Sequence, residues 1–273
     1  MKKYLYLFMA CSLLVSCHQE MDRECCTCES LEPCDVYAFA EGLAGLTAKP
    51  GIWDYPIKPG MEEWKQLNGR EEKVRVCQIP EEALSSLSTE DLTNICLRYP
   101  LLHDVFVFTL LSTGADRLYI EFNGIRELFK RKDAAKELLK YYNFLIKNIS
   151  VWDSEEEGIR KENLKFSIGE LEFLLGFYMQ KSDAITKEDS KKVLLCLVHG
   201  HEREIDYYDP YGSHTFFKNF YARAHVIIKI SPQCIEKIPH KDQNAVFHSN
   251  VIIGRLDKET VDVINELSYQ LIK

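Results

Sequence analysis

Positive charge is in short supply in this sequence: 34 lysines and arginines face 42 aspartates and glutamates, a net charge of −8 at neutral pH. Residues 1–16 hold two of those lysines and no acid, so the chain without them stands at −8 − 2 = −10. A chain of that sign repels phosphate backbones, and no basic stripe reverses the repulsion locally, which excludes nucleic acid as a partner. Catalytic signatures are missing too. There is no G-x-S-x-G elbow, no P-loop, no H-E-x-x-H and no paired set of carboxylates with an evident rationale. Long hydrophobic runs are confined to the N-terminus, and no later stretch reaches the roughly 20 apolar residues that cross a bilayer. Since catalytic groups can converge from distant positions, these absences bound the fold more tightly than the function.

What is present begins with Lys2 and Lys3, followed by an apolar core from Tyr4 to Val15 that is too short to span a membrane. That order reads as a signal peptide over residues 1–16. The string Leu14-Val15-Ser16-Cys17 resembles the bacterial lipobox, in which the cysteine becomes the lipidated N-terminus. The resemblance implies three acyl chains on Cys17, and at roughly 0.8 kcal/mol per buried CH₂ such an anchor is effectively permanent. His18 follows the cysteine in place of the aspartate of inner-membrane retention, and Glu20, Asp22 and Glu24 resemble the acidic surface-export signals of gut anaerobes. The expectation is an outer-membrane lipoprotein, with the cell surface favoured over the periplasmic face.

Residues 17–60 read as a tether and strap. Cys25, Cys26, Cys28 and Cys34 lie within ten residues, and outside the cytoplasm they suit one or two bridges, free thiols in a tether, or a thiolate zinc site. The spacing is not that of two separated C-x-x-C knuckles, and the adjacent Cys25 and Cys26 cannot pair without strain. Pro50-Gly51, Pro56 and Pro59-Gly60 forbid a continuous helix, while Trp53, Tyr55, Ile57 and Trp64 are too apolar for a free linker. The strap therefore docks its aromatics on the first helices.

Residues 61–273 carry helix-period apolar patterns, divisible into halves over 61–150 and 160–273. Short helices are expected at Glu62–Lys65 and Glu71–Cys77. Pro80 starts the next, Ser88 and Asp91 cap a run through Leu92, Ile95 and Cys96, and Tyr99-Pro100 closes it. Leu101, Leu102 and Val105 re-open an apolar face, Gly114 and Gly124 are expected to break two segments, and Asp133 heads a strong helix through Leu138, Tyr142 and Leu145. Later helices are expected over Ser167–Tyr178, behind Thr186-Asp189, behind Ser213, and from Asp257. The spacing of these starts is unequal, so the expected fold is all-α: an irregular, helical-repeat-like array of short antiparallel helices with no significant sheet.

Three places could carry chemistry. His199-Gly200-His201-Glu202 offers zinc-type ligands and, with Cys196, a hydrolase-like set, but histidines two apart on a helix face different sides. Gly200 and the charged Glu202-Arg203-Glu204 look like a helix end. Tyr207, Tyr208 and Tyr211, around the turn Asp209-Pro210-Tyr211-Gly212, suit contact with a protein or a glycan, or packing on a neighbouring helix. Lys130-Arg131-Lys132-Asp133 reads as a solvated loop. Cys77, Cys96, Cys196 and Cys234 sit in apolar patterns and read as small core hydrophobes. No cofactor is expected, and metal is expected nowhere outside the weak His199/His201 pair and the cysteine cluster.

Several strings together resemble a family of uncharacterised helical lipoproteins of gut anaerobic bacteria. They are Tyr55-Pro56-Ile57-Lys58-Pro59-Gly60-Met61-Glu62-Glu63-Trp64, Gln78-Ile79-Pro80-Glu81-Glu82, Leu87-Ser88-Thr89-Glu90-Asp91-Leu92, Leu97-Arg98-Tyr99-Pro100-Leu101-Leu102 and Phe122-Asn123-Gly124-Ile125-Arg126-Glu127-Leu128. The resemblance implies the helical fold and the lipid anchor, and attaches no activity. The functional expectation is a lipid-anchored interaction or scaffold module, with a hydrolase at Cys196, His199 and His201 or a glycan-binding lipoprotein as alternatives.

Overall fold

A computed structural model describes residues 42–108, 111–149, 158–205, 214–240, 243 and 258–273. Every regular element among them is a helix, and none is a strand. The protein is all-α.

The strap is anchored early. Tyr55 is buried, its hydroxyl donates to the Ile95 carbonyl at 2.9 Å, and its ring meets Trp53 edge-on at 4.9 Å. Asp54 accepts from the buried Arg98 guanidinium. Two short helices follow, α1 (Glu62–Gln66) and α2 (Gly69–Val76), then α3 (Glu81–Ser86) and α4 (Thr89–Leu97).

Ser88 caps α4 as its sequence suggests. Its Oγ accepts from the Asp91 backbone N–H at 3.1 Å and donates to the Asp91 carboxylate at 2.6 Å, satisfying one of the donors every helix start leaves orphaned. Ser88→Ala is expected to cost about 1 kcal/mol in urea unfolding. Thr186 and Asp189 repeat the pattern at 3.0 Å and 2.7 Å.

A 3-10 helix over Leu102–Phe106 leads to α5 (Leu111–Glu121) and α6 (Asn123–Leu128). Gly114 and Gly124 do not break helices. Both lie inside them, and a Cβ on Gly114 would stand 2.1 Å from the Val105 carbonyl oxygen. The glycine is there for close approach. The break between α5 and α6 falls at Phe122, whose backbone is extended. Asp133 precedes α7 (Ala134–Lys147), but its carboxylate accepts from Thr89 Oγ1 at 2.8 Å, tying the start of α7 to the start of α4.

The second half is built from longer helices: α8 (Gly158–Lys181), α9 (Lys187–Ile205), α10 (His214–Ile230) and α11 (Lys258–Ile272). Every residue from Ser167 to Met179 is buried. A helix buried on all sides must be the centre of its bundle, and α8 packs on α10 and α7 and, less extensively, on α9, while α11 packs on α9 and α10. The most extensive packing is between α8 and α10, where Gly176 leaves room for the Ala222 backbone and Phe173 stacks on Tyr221. Asp257 and Ser213, expected as caps, lie outside the described residues. The four scattered cysteines are buried thiols that pack as small hydrophobes.

Candidate functional site

Burying thirteen consecutive residues of α8 forces two carboxyls inside, Glu170 and Glu172, both 0% exposed. Two residues apart on a helix, they face different neighbours and have different surroundings.

Phe166, Gly169, Glu170 and Phe173 follow the i, i+3, i+4, i+7 spacing of one helix face. Against that face lie His103 and Phe106 from the 3-10 helix and Lys218 from α10. His103 Nδ1 stands 2.7 Å from Glu170 Oε1, yet the alignment is poor, and both Glu170 oxygens are left without a proper hydrogen bond. The contact is a charge pair. The Glu170 carboxylate pulls the His103 pKa above its ordinary value, against the opposing effect of burial. Burial in turn raises Glu170. The His103 side chain is 43% exposed, so it connects the buried acid to solvent.

Lys218 is 7% exposed. Its ammonium lies 3.9 Å from the centre of the Phe106 ring and 4.5 Å from that of Phe166, within reach of their negative faces. Its stem passes over Gly169, where a Cβ would meet Lys218 Cδ at 2.7 Å. Burial pushes its pKa down to about 8, against the pull of Glu170 and Glu172.

Glu172 turns to a second network. Its Oε1 accepts from Tyr142 at 3.0 Å and from Asn219 Nδ2 at 2.6 Å, while Oε2 has no hydrogen bond. Burial raises its pKa to about 7, although those bonds and the Lys218 and Arg223 charges oppose the rise. Arg223 is wholly buried, with Nε donating to Ser268 Oγ at 3.0 Å and its two terminal nitrogens without hydrogen bonds.

The expected candidates fall elsewhere. The helix does not end at Gly200, because α9 continues to Ile205, and Gly200 packs on Tyr142. His201 is buried, with its ring 5.0 Å from Phe220. Burial, aided by the Arg223 charge, pushes its pKa down to about 4, so it is neutral near pH 7. Cys196 is buried, and its sulfur accepts from Asn143 at 3.7 Å. His199 is half-buried on the same helix. Among the described residues no group of three or more His, Cys, Asp or Glu is placed to hold a metal ion. Cys17, the four cysteines near it, and Tyr207, Tyr208 and Tyr211 lie outside the described residues. The Lys130–Asp133 loop is less solvated than expected, since Arg131 donates to the Leu84 and Leu87 carbonyls.

A cleft of about 530 Å³ lies between α2 and α5. Its cations are already engaged, Arg70 with Asp104 and Glu121, and Arg117 with Glu121. Nothing in the local pattern around His103, Glu170 or Lys218 signals that the three meet. The one visible trace of the grouping is that each charge interrupts an otherwise apolar stretch.

No family model matches the chain, and no curated protein or solved structure is significantly similar to it. The chemistry of the site therefore has to be argued from its own atoms.

Proposed function

We infer that this protein is a lipid-anchored envelope component acting as an interaction or scaffold module, tethered through Cys17 to the outer membrane with its body on the cell surface. The supporting observation is the placement of the residues best suited to hydrolysis. Cys196 and His201 are core residues of α9, and His201 is held neutral by burial, so both serve helix packing. No helix among the described residues is long and apolar enough to cross a membrane, which leaves attachment to the N-terminal cysteine in this reading. Val107 and Ile120, 77% and 72% exposed, offer apolar contact points to a protein or glycan partner.

Cross-linking in intact cells tests the reading. Wild-type protein is expected to incorporate palmitate, to be removed by external protease, and to recover a reproducible protein or glycan partner, whereas Cys17→Ala is expected to lose both label and attachment. Metal in the soluble chain, with hydrolysis of a panel substrate that is lost in His199→Ala, would replace the module by an enzyme. Glycan-array binding abolished by Tyr211→Ala would make the partner a sugar.

A further inference from the structure

We propose that His103 and Glu170 form a proton-operated latch on the seam between the 3-10 helix and α8, closed while the pair holds its shared proton and released as the pH rises. The device goes beyond the anchoring and docking role and does not depend on it.

The two partners are placed unequally. Glu170 is 0% exposed on the central helix and cannot leave, whereas the His103 side chain is 43% exposed and stands on a 3-10 helix of five residues. His103 Nδ1 lies 2.7 Å from Glu170 Oε1, and neither Glu170 oxygen has a hydrogen bond. Among the described residues the imidazole is the one cation within salt-bridge distance of this carboxylate. A buried carboxylate that loses its counter-charge keeps the full penalty of lost hydration.

The 3-10 helix has one side that is fixed and one that a proton controls. Against α5, Leu102 and Val105 are buried, and the Val105 backbone closes on Gly114. Against α8, the Phe106 ring meets Phe166 and Phe173 edge-on, each at 5.4 Å, and the His103 ring tilts on Phe166 at 5.1 Å. Contacts between phenylalanine rings are indifferent to pH. The His103 end of the seam is therefore the end that titrates, and Phe106 is its pivot.

The other charges around the pair do not substitute for it. Asp104, on the same 3-10 helix, is engaged by Arg70, while from α5 Glu121 is held by Arg70 and Arg117, and Asp116 by Lys181. Glu172, further along α8, accepts from Tyr142 and Asn219. Lys218 on α10 lies over the Phe106 and Phe166 rings, where its charge favours the Glu170 carboxylate and disfavours the His103 imidazolium.

The direction of the switch follows from both partners. The contact with Glu170 raises the His103 pKa against the effect of burial, and burial raises that of Glu170 against the His103 and Lys218 charges. Both groups thus hold protons more tightly in the closed seam than in water. The stabilisation is complete below the ordinary carboxyl value of about 4.3 and is lost as the pH rises through the folded value of His103, above about 6.5. The proton then goes to solvent, leaving a neutral imidazole beside a charged carboxylate in an apolar wall. His103 turns outward, water reaches Glu170, and the seam opens beside Phe166.

Amide hydrogen exchange on the full chain between about pH 6 and pH 8.5 reads the seam. The Asp104 and Val107 amides, bonded to the Leu101 and Asp104 carbonyls at 3.1 and 3.3 Å, report the 3-10 helix, and the Leu92 amide, 3.0 Å from the Ser88 carbonyl, is the internal reference. Protection relative to Leu92 is expected to fall at least about fivefold over that range, since an opening that releases one proton grows by up to about tenfold per pH unit. Glu170→Gln keeps the shape without the charge, and there the ratio is expected to stay flat. His103→Gln removes the counter-charge and leaves the acid, so weakened protection is expected already at about pH 6. The wild-type ratio decides alone if either variant fails to reach native helicity. Carbon-13 NMR of histidine-labelled protein gives an independent reading. The His103 signal, assigned by its absence from His103→Gln, is expected to titrate about one unit lower in Glu170→Gln than in wild type. A flat wild-type ratio, an equal fall in Glu170→Gln, or a His103 midpoint unmoved by that substitution would overturn the proposal.

Discussion

Gly200→Ala is expected to lose about 3–5 kcal/mol of stability, enough to leave a marginal domain largely unfolded at 37 °C. A methyl at this position would stand 1.9 Å from the Tyr142 hydroxyl oxygen and 2.7 Å from its Cζ. Tyr142 is wholly buried and has nowhere to retreat. If the ring shifts, its hydrogen bond to Glu172 is lost, and that carboxylate sits in the most enclosed part of the bundle. Two costs therefore add, overpacking of about 1–3 kcal/mol and the loss of a buried hydrogen bond to a carboxyl, of about 1–3 kcal/mol, with Asn219 left as the donor to Glu172 Oε1. Urea unfolding of the variant measures the sum. Combining Gly200→Ala with Tyr142→Phe removes the offending oxygen, and the double variant is expected to be more stable than Gly200→Ala alone. Purely additive losses would show that the two residues do not collide.

The second large effect is a pH dependence centred on Glu172. Its folded pKa is raised to about 7, against about 4.3 when unfolded, so the folded protein holds a proton that the unfolded chain releases. The contribution is complete below about pH 4 and is lost as the pH rises through 7, by roughly 3 kcal/mol in all. Glu172→Gln keeps an oxygen for Tyr142 and Asn219 without the titration. The stability of the variant relative to wild type is expected to grow by roughly that amount between about pH 5 and pH 8. His201 works in the opposite sense: its folded pKa of about 4 lies below the unfolded value, so its contribution is lost as the pH falls. It is common to both proteins and cancels in the difference. A difference that stays flat with pH would mean that Glu172 titrates normally.

Local signals carried further in this chain than long-range ones. Ser88-Asp91 and Thr186-Asp189 were legible because a cap is written within four residues and needs no partner elsewhere. The apolar faces of α4 and α7 were legible for the same reason, since periodicity alone marks Leu92, Ile95, Leu138 and Tyr142 as inward. Gly114, Gly124 and Gly200 misled because the same residue serves two purposes. A glycine can end a helix by its backbone freedom, or let another chain approach by its missing side chain, and only the neighbour tells which. Charges are ambiguous in the same way. Glu170 and Glu172 sit in an apolar run, as do Lys218 and Arg223, and a charge in such a run reads as a surface position until a second helix is seen to bury it. His199 and His201 stand out because only one residue separates them in sequence, whereas the grouping that forms spans residues 103 to 218.

The docked strap gives the molecule a mechanical sense. A pull applied to the chain ahead of Gly42 would first meet the start of the strap, where Gly42 lies against Ser167 of α8 and Leu43 is wholly buried. Only after that contact gave way would the load pass to Asp54 on Arg98 and to Tyr55 on the Ile95 carbonyl. The strap is thus riveted in series, first to the central helix and then to α4.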